Sequence, residues 1–105
     1  MSGATTFPAA VRDLALVAAY AVSKRDPRIA AACEWMDRAR DHEACALRQP
    51  PGSAQREIAR DRANHAAAIA NVYTLLSEGE PAEARRWVQR ARLWRQRLRD
   101  AGAWE

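Results

Sequence analysis

The sequence predicts an all-α fold: four antiparallel helices arranged as two helical hairpins, in the manner of a four-helix bundle. Three observations carry this. Nearly a quarter of the 105 residues are alanine and only four are glycine, a balance that favours helix. Apolar residues recur at spacings of three and four rather than alternating. Three turn signals, Asp26-Pro27, Gln49-Pro50-Pro51-Gly52 and Gly79-Glu80-Pro81, divide the chain into four segments of helical length. A chain of this length forms one domain, residues 1–105. It buries roughly 60 % or more of its unfolded surface, enough for a core without metal or disulfide.

The elements follow in order. Thr6 can cap a first helix over 8–24, with Pro8 in its first turn, where a missing N–H is harmless. That helix is apolar nearly all round (Val11, Leu14, Leu16, Val17, Tyr20, Val22), so it should be the most buried element. Asp26-Pro27 opens a second helix over 27–48, because Asp satisfies free N–H groups and Pro fixes φ. Its main stripe is Ile29, Cys33, Met36 and Leu47, with Trp35, Ala39 and Ala46 beside it. Glu34, Asp37 and Asp41 line a third, solvated side. These two helices make the first hairpin, 8–48.

The Pro-rich loop 49–53 ends that hairpin decisively. Ser53 caps a third helix over 54–78, with the stripe Ile58, His65, Ile69, Val72, Tyr73 and Leu76. After Gly79-Glu80-Pro81 the last helix runs from Pro81 to Ala101–Gly102, which completes the second hairpin, 54–102. Trp87, Val88, Ala91, Trp94 and Leu98 cluster on one side of it, and Leu93 is stranded among arginines.

An internal echo runs through the chain. Trp35-Met36-Asp37-Arg38-Ala39-Arg40 matches Trp87-Val88-Gln89-Arg90-Ala91-Arg92, Tyr20 and Tyr73 precede them, and Pro27 and Pro81 mark equivalent turns. The offsets drift from 52 to 54, so an old duplication and a coincidence of helical patterning are both open.

Cys33 and Cys45 lie about 18 Å apart along one helix, beyond disulfide reach. They read as buried thiols of a reducing compartment. The longest apolar run, Leu14–Val22, is too short to cross a bilayer, and no basic leader precedes it. The expectation is a cytoplasmic protein with no membrane partner. His42 and Cys45 share a face, with His65 as a possible third ligand, but no Cys-x-x-Cys or His-x-x-x-His pair occurs. No metal or cofactor is expected.

Charge is the strongest functional signal. Residues 1–80 hold ten basic and ten acidic side chains, so the net charge of +4 sits on the last segment. Arg85, Arg86, Arg90, Arg92, Arg95, Arg97 and Arg99 follow one another with no acid between Ala84 and Arg99. Two readings compete for them. They can pair with the acids of the second helix, or form a surface for an acidic partner, whether a nucleic-acid backbone or an acidic protein patch. Base-specific reading of DNA does not fit, because the last helix opens with acid where base contacts are made.

Two short resemblances add to this. Asn71-Val72-Tyr73 through Gly79-Glu80-Pro81-Ala82-Glu83-Ala84 to Trp87-Val88 and Ala91 resembles a tetratricopeptide hairpin, with two extra residues before the glycine. That implies an antiparallel hairpin with similar packing. Arg60-Asp61-Arg62-Ala63-Asn64-His65 resembles the Arg-polar-x-x-x-His signature of HEPN ribonucleases. That implies a helical dimer in which Arg60 and His65 are catalytic and Asp61 is their polar partner. The bland alternative is a structural His65 satisfied by Asp61 one turn earlier.

The sequence therefore predicts a small non-enzymatic binding module, an adaptor or inhibitor. It would dock on an acidic protein or nucleoprotein through Arg85, Arg86, Arg90, Arg92, Leu93, Arg95 and Arg97, with nonspecific nucleic acid as a further partner. Reversing Arg90 and Arg97 to Glu should abolish binding and spare the fold. The alternative is a HEPN-like, metal-independent ribonuclease using Arg60, Asp61 and His65. A third reading is a homodimer closed by Leu93 and Trp104.

Overall fold

The computed structural model describes residues 26–104, all-helical apart from turns and a short C-terminal segment. The first predicted helix, 8–24, and with it Tyr20 of the echo, lies outside these residues. The described chain folds as α1 (Pro27–Arg48), α2 (Ala54–Ser77) and α3 (Pro81–Asp100). The four-helix arrangement thus reduces, among the described residues, to three helices.

Local chemistry sets each boundary. The Asp26 side chain accepts from the Arg28 backbone N–H at 3.0 Å, and Pro27 occupies the first turn. Gln49 leaves the helix in an extended conformation because the following proline disfavours the α region. Ser53 Oγ accepts from the Arg56 N–H at 3.2 Å to begin α2. At the end of α2, the N–H of Glu80 donates to Leu75 O and that of Gly79 to Leu76 O. This is a Schellman turn, and Gly79 sits in its left-handed position at φ +76°. The same turn closes α3, where Ala103 donates to Leu98 O, Gly102 to Arg99 O, and Gly102 has φ +71°.

α2 lies between the other two helices. It packs against α1 on one side and α3 on the other, and no Cα atom of α1 lies within 8 Å of one in α3. Cross-helix bonds give the register. Arg60 pairs with Glu43 between α2 and α1, Arg97 pairs with Asp61 between α3 and α2, and Arg28 Nη1 donates to Leu76 O at the far end of α2. Both outer helices therefore run antiparallel to α2 and parallel to each other. The loop 49–53 is a hairpin turn between packed neighbours.

The core is made of alanine. Ala32, Ala39 and Ala46 of α1 are buried, as are Ala84, Ala91 and Leu98 of α3, and Leu98 is the one large side chain fully buried among the described residues. On α2, Ala59, Ala63, Ala66 and Ala70 form one buried column, and Asp61 and Ala68 stand about 180° round the axis. Small side chains let helix axes approach to the lower end of the usual 8–10 Å range.

The main stripe read from the sequence of α1 is corrected by this. Leu47 is 63 % exposed and Cys33 is exposed, so Cys33 is not a buried thiol, and Cys45 is only half-buried. Close approach selected the alanine column beside that stripe. In α2, Ile58, His65, Ile69 and Val72 are half-buried at the edge of the alanine contacts. The expected pairing of the α3 arginines with Glu34, Asp37 and Asp41 is also corrected. Those acids are exposed on α1, and α2 stands between them and α3.

Candidate binding groove

Two consecutive heptads build the outer flank of α3: Ala84-Arg85-Arg86-Trp87-Val88-Gln89-Arg90 and Ala91-Arg92-Leu93-Trp94-Arg95-Gln96-Arg97. Each alanine faces α2. The tryptophan three residues later lies one turn on, about 60° round the helix. The arginine three residues further covers that tryptophan. Arg90 stands 4.4 Å from the Trp87 ring centroid and Arg97 5.5 Å from that of Trp94. These are cation–π distances.

Both tryptophans open onto a groove of about 800 Å³ between α2 and α3. Its floor is Ala67 and Ala68 of α2, with Asn64 and Asn71 as polar points along it. Leu93, 67 % exposed, stands on its rim. Arg90, Leu93 and Arg97 of the expected partner-binding set therefore come together in one place. Arg86 pairs with Glu83 at 2.9 Å. Arg85 and Arg92 are exposed on the other flank of α3, and half-buried Arg95 acts electrostatically on His65. Among the described residues, Arg85, Arg90, Arg92, Arg95 and Arg99 form no ion pair with an acid.

Arg97 has a second task. Its Nε donates to Oδ2 of Asp61 at 3.2 Å, and Asp61 is only 9 % exposed. Reversal at Arg97 would set two carboxylates against each other at the helix contact, so this arginine tests the fold as well as the surface. The same bond answers the structural reading of His65, because the Asp61 carboxylate goes to Arg97.

On the other side of α2, about 160° round its axis, lies a smaller cleft of about 240 Å³ between α1 and α2, with Leu98 of α3 and Trp104 also lining it. His65 sits there edge-on to two indoles, with centroids 4.9 Å from Trp104 and 6.0 Å from Trp35. The turn at Gly102 delivers Trp104 to this position, and Arg62 Nη2 holds the segment by donating to Ala103 O at 3.2 Å. Trp104 is thus engaged within its own chain rather than presented to a second copy. Arg38, stacked 4.5 Å over Trp35, and His42 complete the cleft.

Burial, then Arg95, then His42 push the His65 pKa down. Burial, then Arg62, lower His42, with Arg38 adding slightly and Asp41 opposing. Arg60 and His65 are not brought together: they diverge by about 140° around α2, and Arg60 turns to Glu43 at 3.6 Å. Among the described residues, no group of His, Cys, Asp or Glu side chains is arranged to hold a metal ion, and no helix is long and apolar enough to cross a membrane.

The groove residues that the sequence reading missed, Ala67, Ala68, Asn64 and Asn71, had one available signal. Positions 61, 64, 68 and 71 follow three- and four-residue spacing and mark a second contact face on α2. Compared with protein-family models, with curated proteins and with solved structures, the chain matches none.

Proposed function

We propose that this protein is a non-enzymatic binding module whose α2–α3 groove receives an acidic segment of a partner protein. The observation that supports this is the groove itself: two indoles and an exposed leucine, with Arg90 in no ion pair, Arg97 shared with Asp61, and Asp100 at one end bonded to Gln96. An apolar floor with a cationic rim suits an amphipathic acidic helix, which lays apolar anchors into a groove and meets the rim with carboxylates. From Trp87 to Arg97 the groove wall extends about 15 Å, or three helical turns, enough for anchors at i, i+3 and i+7.

The α1–α2 cleft offers a precedent within the chain. Trp35, Arg38 and His42 stand there as Trp87, Arg90 and Trp94 stand in the groove, each 52 residues earlier. Trp104 lines the cleft beside His65, and the groove lining has no counterpart of it. A bulky apolar side chain of the partner would take the corresponding place.

The test is a titration of the protein with a labelled amphipathic peptide carrying Glu on one face and Leu or Trp on the other. Single-stranded DNA and RNA oligonucleotides run in parallel. The expected result is peptide binding that weakens with salt and falls at least about tenfold, near 1.4 kcal/mol, in an Arg90→Glu, Leu93→Asp variant of unchanged helicity. Steeply salt-dependent binding of the oligonucleotides in place of the peptide would move the face to nucleic acid. Binding of neither would overturn both. The HEPN-like alternative needs Arg60 and His65 in one cleft. RNA cleavage lost on His65→Ala would be the observation in its favour.

A further inference from the structure

We propose that the α1–α2 cleft bounded by Arg38, His42, Arg62 and His65 is a binding site for a phosphate group. It is separate from the groove and rests on different residues. No carboxylate lines it. α1 contributes Arg38 and His42, with Asp41 close enough to act on His42. α2 contributes Arg62 and His65, and Arg95 of α3 acts on His65 from beyond. Among the described residues, Arg38, Arg62 and Arg95 are in no ion pair.

Two of these cations are already positioned. Arg38 stands over the Trp35 ring at 4.5 Å, and Arg62 is tied to Ala103 O at 3.2 Å. Preorganised guanidinium groups give forked hydrogen bonds to phosphate oxygens at little entropic expense. The imidazoles supply further N–H donors. The cleft, at about 240 Å³, admits a phosphomonoester, and the indoles of Trp35 and Trp104 offer edges or faces to whatever the phosphate carries.

Burial first and neighbouring cations second lower the pKa of both histidines. An anion among these groups would raise both, so binding and proton uptake are coupled. The sign follows from linkage: a ligand that raises the pKa of a group binds more tightly where that group is protonated. Affinity should therefore increase as pH falls below neutrality, until the phosphate itself takes up a proton near pH 6.

The chain has only two histidines, and both face this cleft, so the imidazole proton resonances report on it without ambiguity. The experiment titrates the full chain with inorganic phosphate, ribose 5-phosphate and AMP, following both imidazoles from pH 5.5 to 7.5. Both resonances should shift together and saturate in the millimolar range or below, and both should titrate at higher pH with ligand present. Arg38→Gln, at an exposed side chain, should weaken binding several-fold. Arg38→Gln with Arg62→Gln should weaken it about tenfold or more, at unchanged helicity.

AMP binding more tightly than ribose 5-phosphate would assign the indoles to the base. Equal affinities would confine recognition to the phosphate. Resonances that do not move by about 20 mM phosphate, well above a millimolar Kd, would overturn the site. So would shifts that persist unchanged in Arg38→Gln, since these would be ionic-strength effects.

Discussion

α1 and α3 are two versions of one helix design, set against opposite sides of α2. Their buried columns match position for position at an offset of 52: Ala32 with Ala84, Ala39 with Ala91, Ala46 with Leu98. Trp35 under Arg38 repeats Trp87 under Arg90. Since both helices run antiparallel to α2, a half-turn about α2 carries one flank approximately onto the other. The differences lie outside the columns. α1 carries four arginines and four acids, whereas α3 carries seven arginines and two acids. His42 stands where Trp94 stands, and Cys45 where Arg97 stands. The contact with α2 thus rests on three buried positions per helix, all alanine on α1 and two alanines with a leucine on α3, and the remaining surface is free to diverge. One helix became electrically balanced beside a narrow cleft that Trp104 lines, and the other became strongly cationic beside the wider groove.

The comparison can be broken first at its largest asymmetry. Leu98→Ala would give α3 the all-alanine column of α1, and it removes the one fully buried large side chain among the described residues. The expected loss is about 2–5 kcal/mol, read as a lower urea midpoint with an unchanged slope. A loss under about 1 kcal/mol would mean that the α3 column closes up as tightly as that of α1. The converse exchange, Ala46→Leu, gives α1 the column of α3. Ala46 is 0 % exposed, so the added atoms should overpack the contact and cost about 1–3 kcal/mol in the same assay. Stabilisation instead would show that the two flanks are interchangeable.

The smallest effect concerns protons, and it belongs to the α1 flank alone. His42 and His65 are held below the ordinary histidine value by burial first and neighbouring cations second. Well above the ordinary histidine value of about 6.5 both are neutral whether folded or not, and the full stability is present. As pH falls below that, the unfolded chain takes up protons more readily, so stability declines until the folded-state pKa values are passed. Unfolding midpoints at pH 7.5 and 5.5 should therefore differ, and His65→Gln should narrow the difference. An equal difference in the variant would place the acid sensitivity elsewhere.

Much of the described fold was legible in the sequence because its boundaries are local events. Asp26-Pro27, Ser53, and the glycines at 52 and 79 cap or break helices by chemistry contained within a few residues. The buried face was not legible. Alanine runs such as Ala30–Ala32 and Ala66–Ala68 put methyls around most of each helix, so hydrophobic spacing favoured Ile29, Cys33 and Leu47 while close packing chose Ala32, Ala39 and Ala46. Which acids the α3 arginines could reach was equally hidden, since that depends on α2 lying between. For the groove, Arg90, Leu93 and Arg97 were identified from periodicity and charge. Its α2 wall was missed because Ala67 and Ala68 look like any other alanines. The convergence of Trp104 on His65 depends on the left-handed turn at Gly102, a backbone event with long-range consequences.

The separation of α1 from α3 has a kinetic consequence. Every helix–helix contact among the described residues joins neighbours in sequence, so ordering the chain requires only short loop closures. Such low contact order accompanies folding in microseconds to milliseconds. Among the described residues it also makes the array quasi-one-dimensional, with α2 held from two sides and each outer helix from one. Backbone amides should then exchange with solvent in a graded order, slowest in the middle of α2 around Ala66–Ala70 and faster in both flanks. The helix that carries the groove can open without dissolving the hairpin behind it.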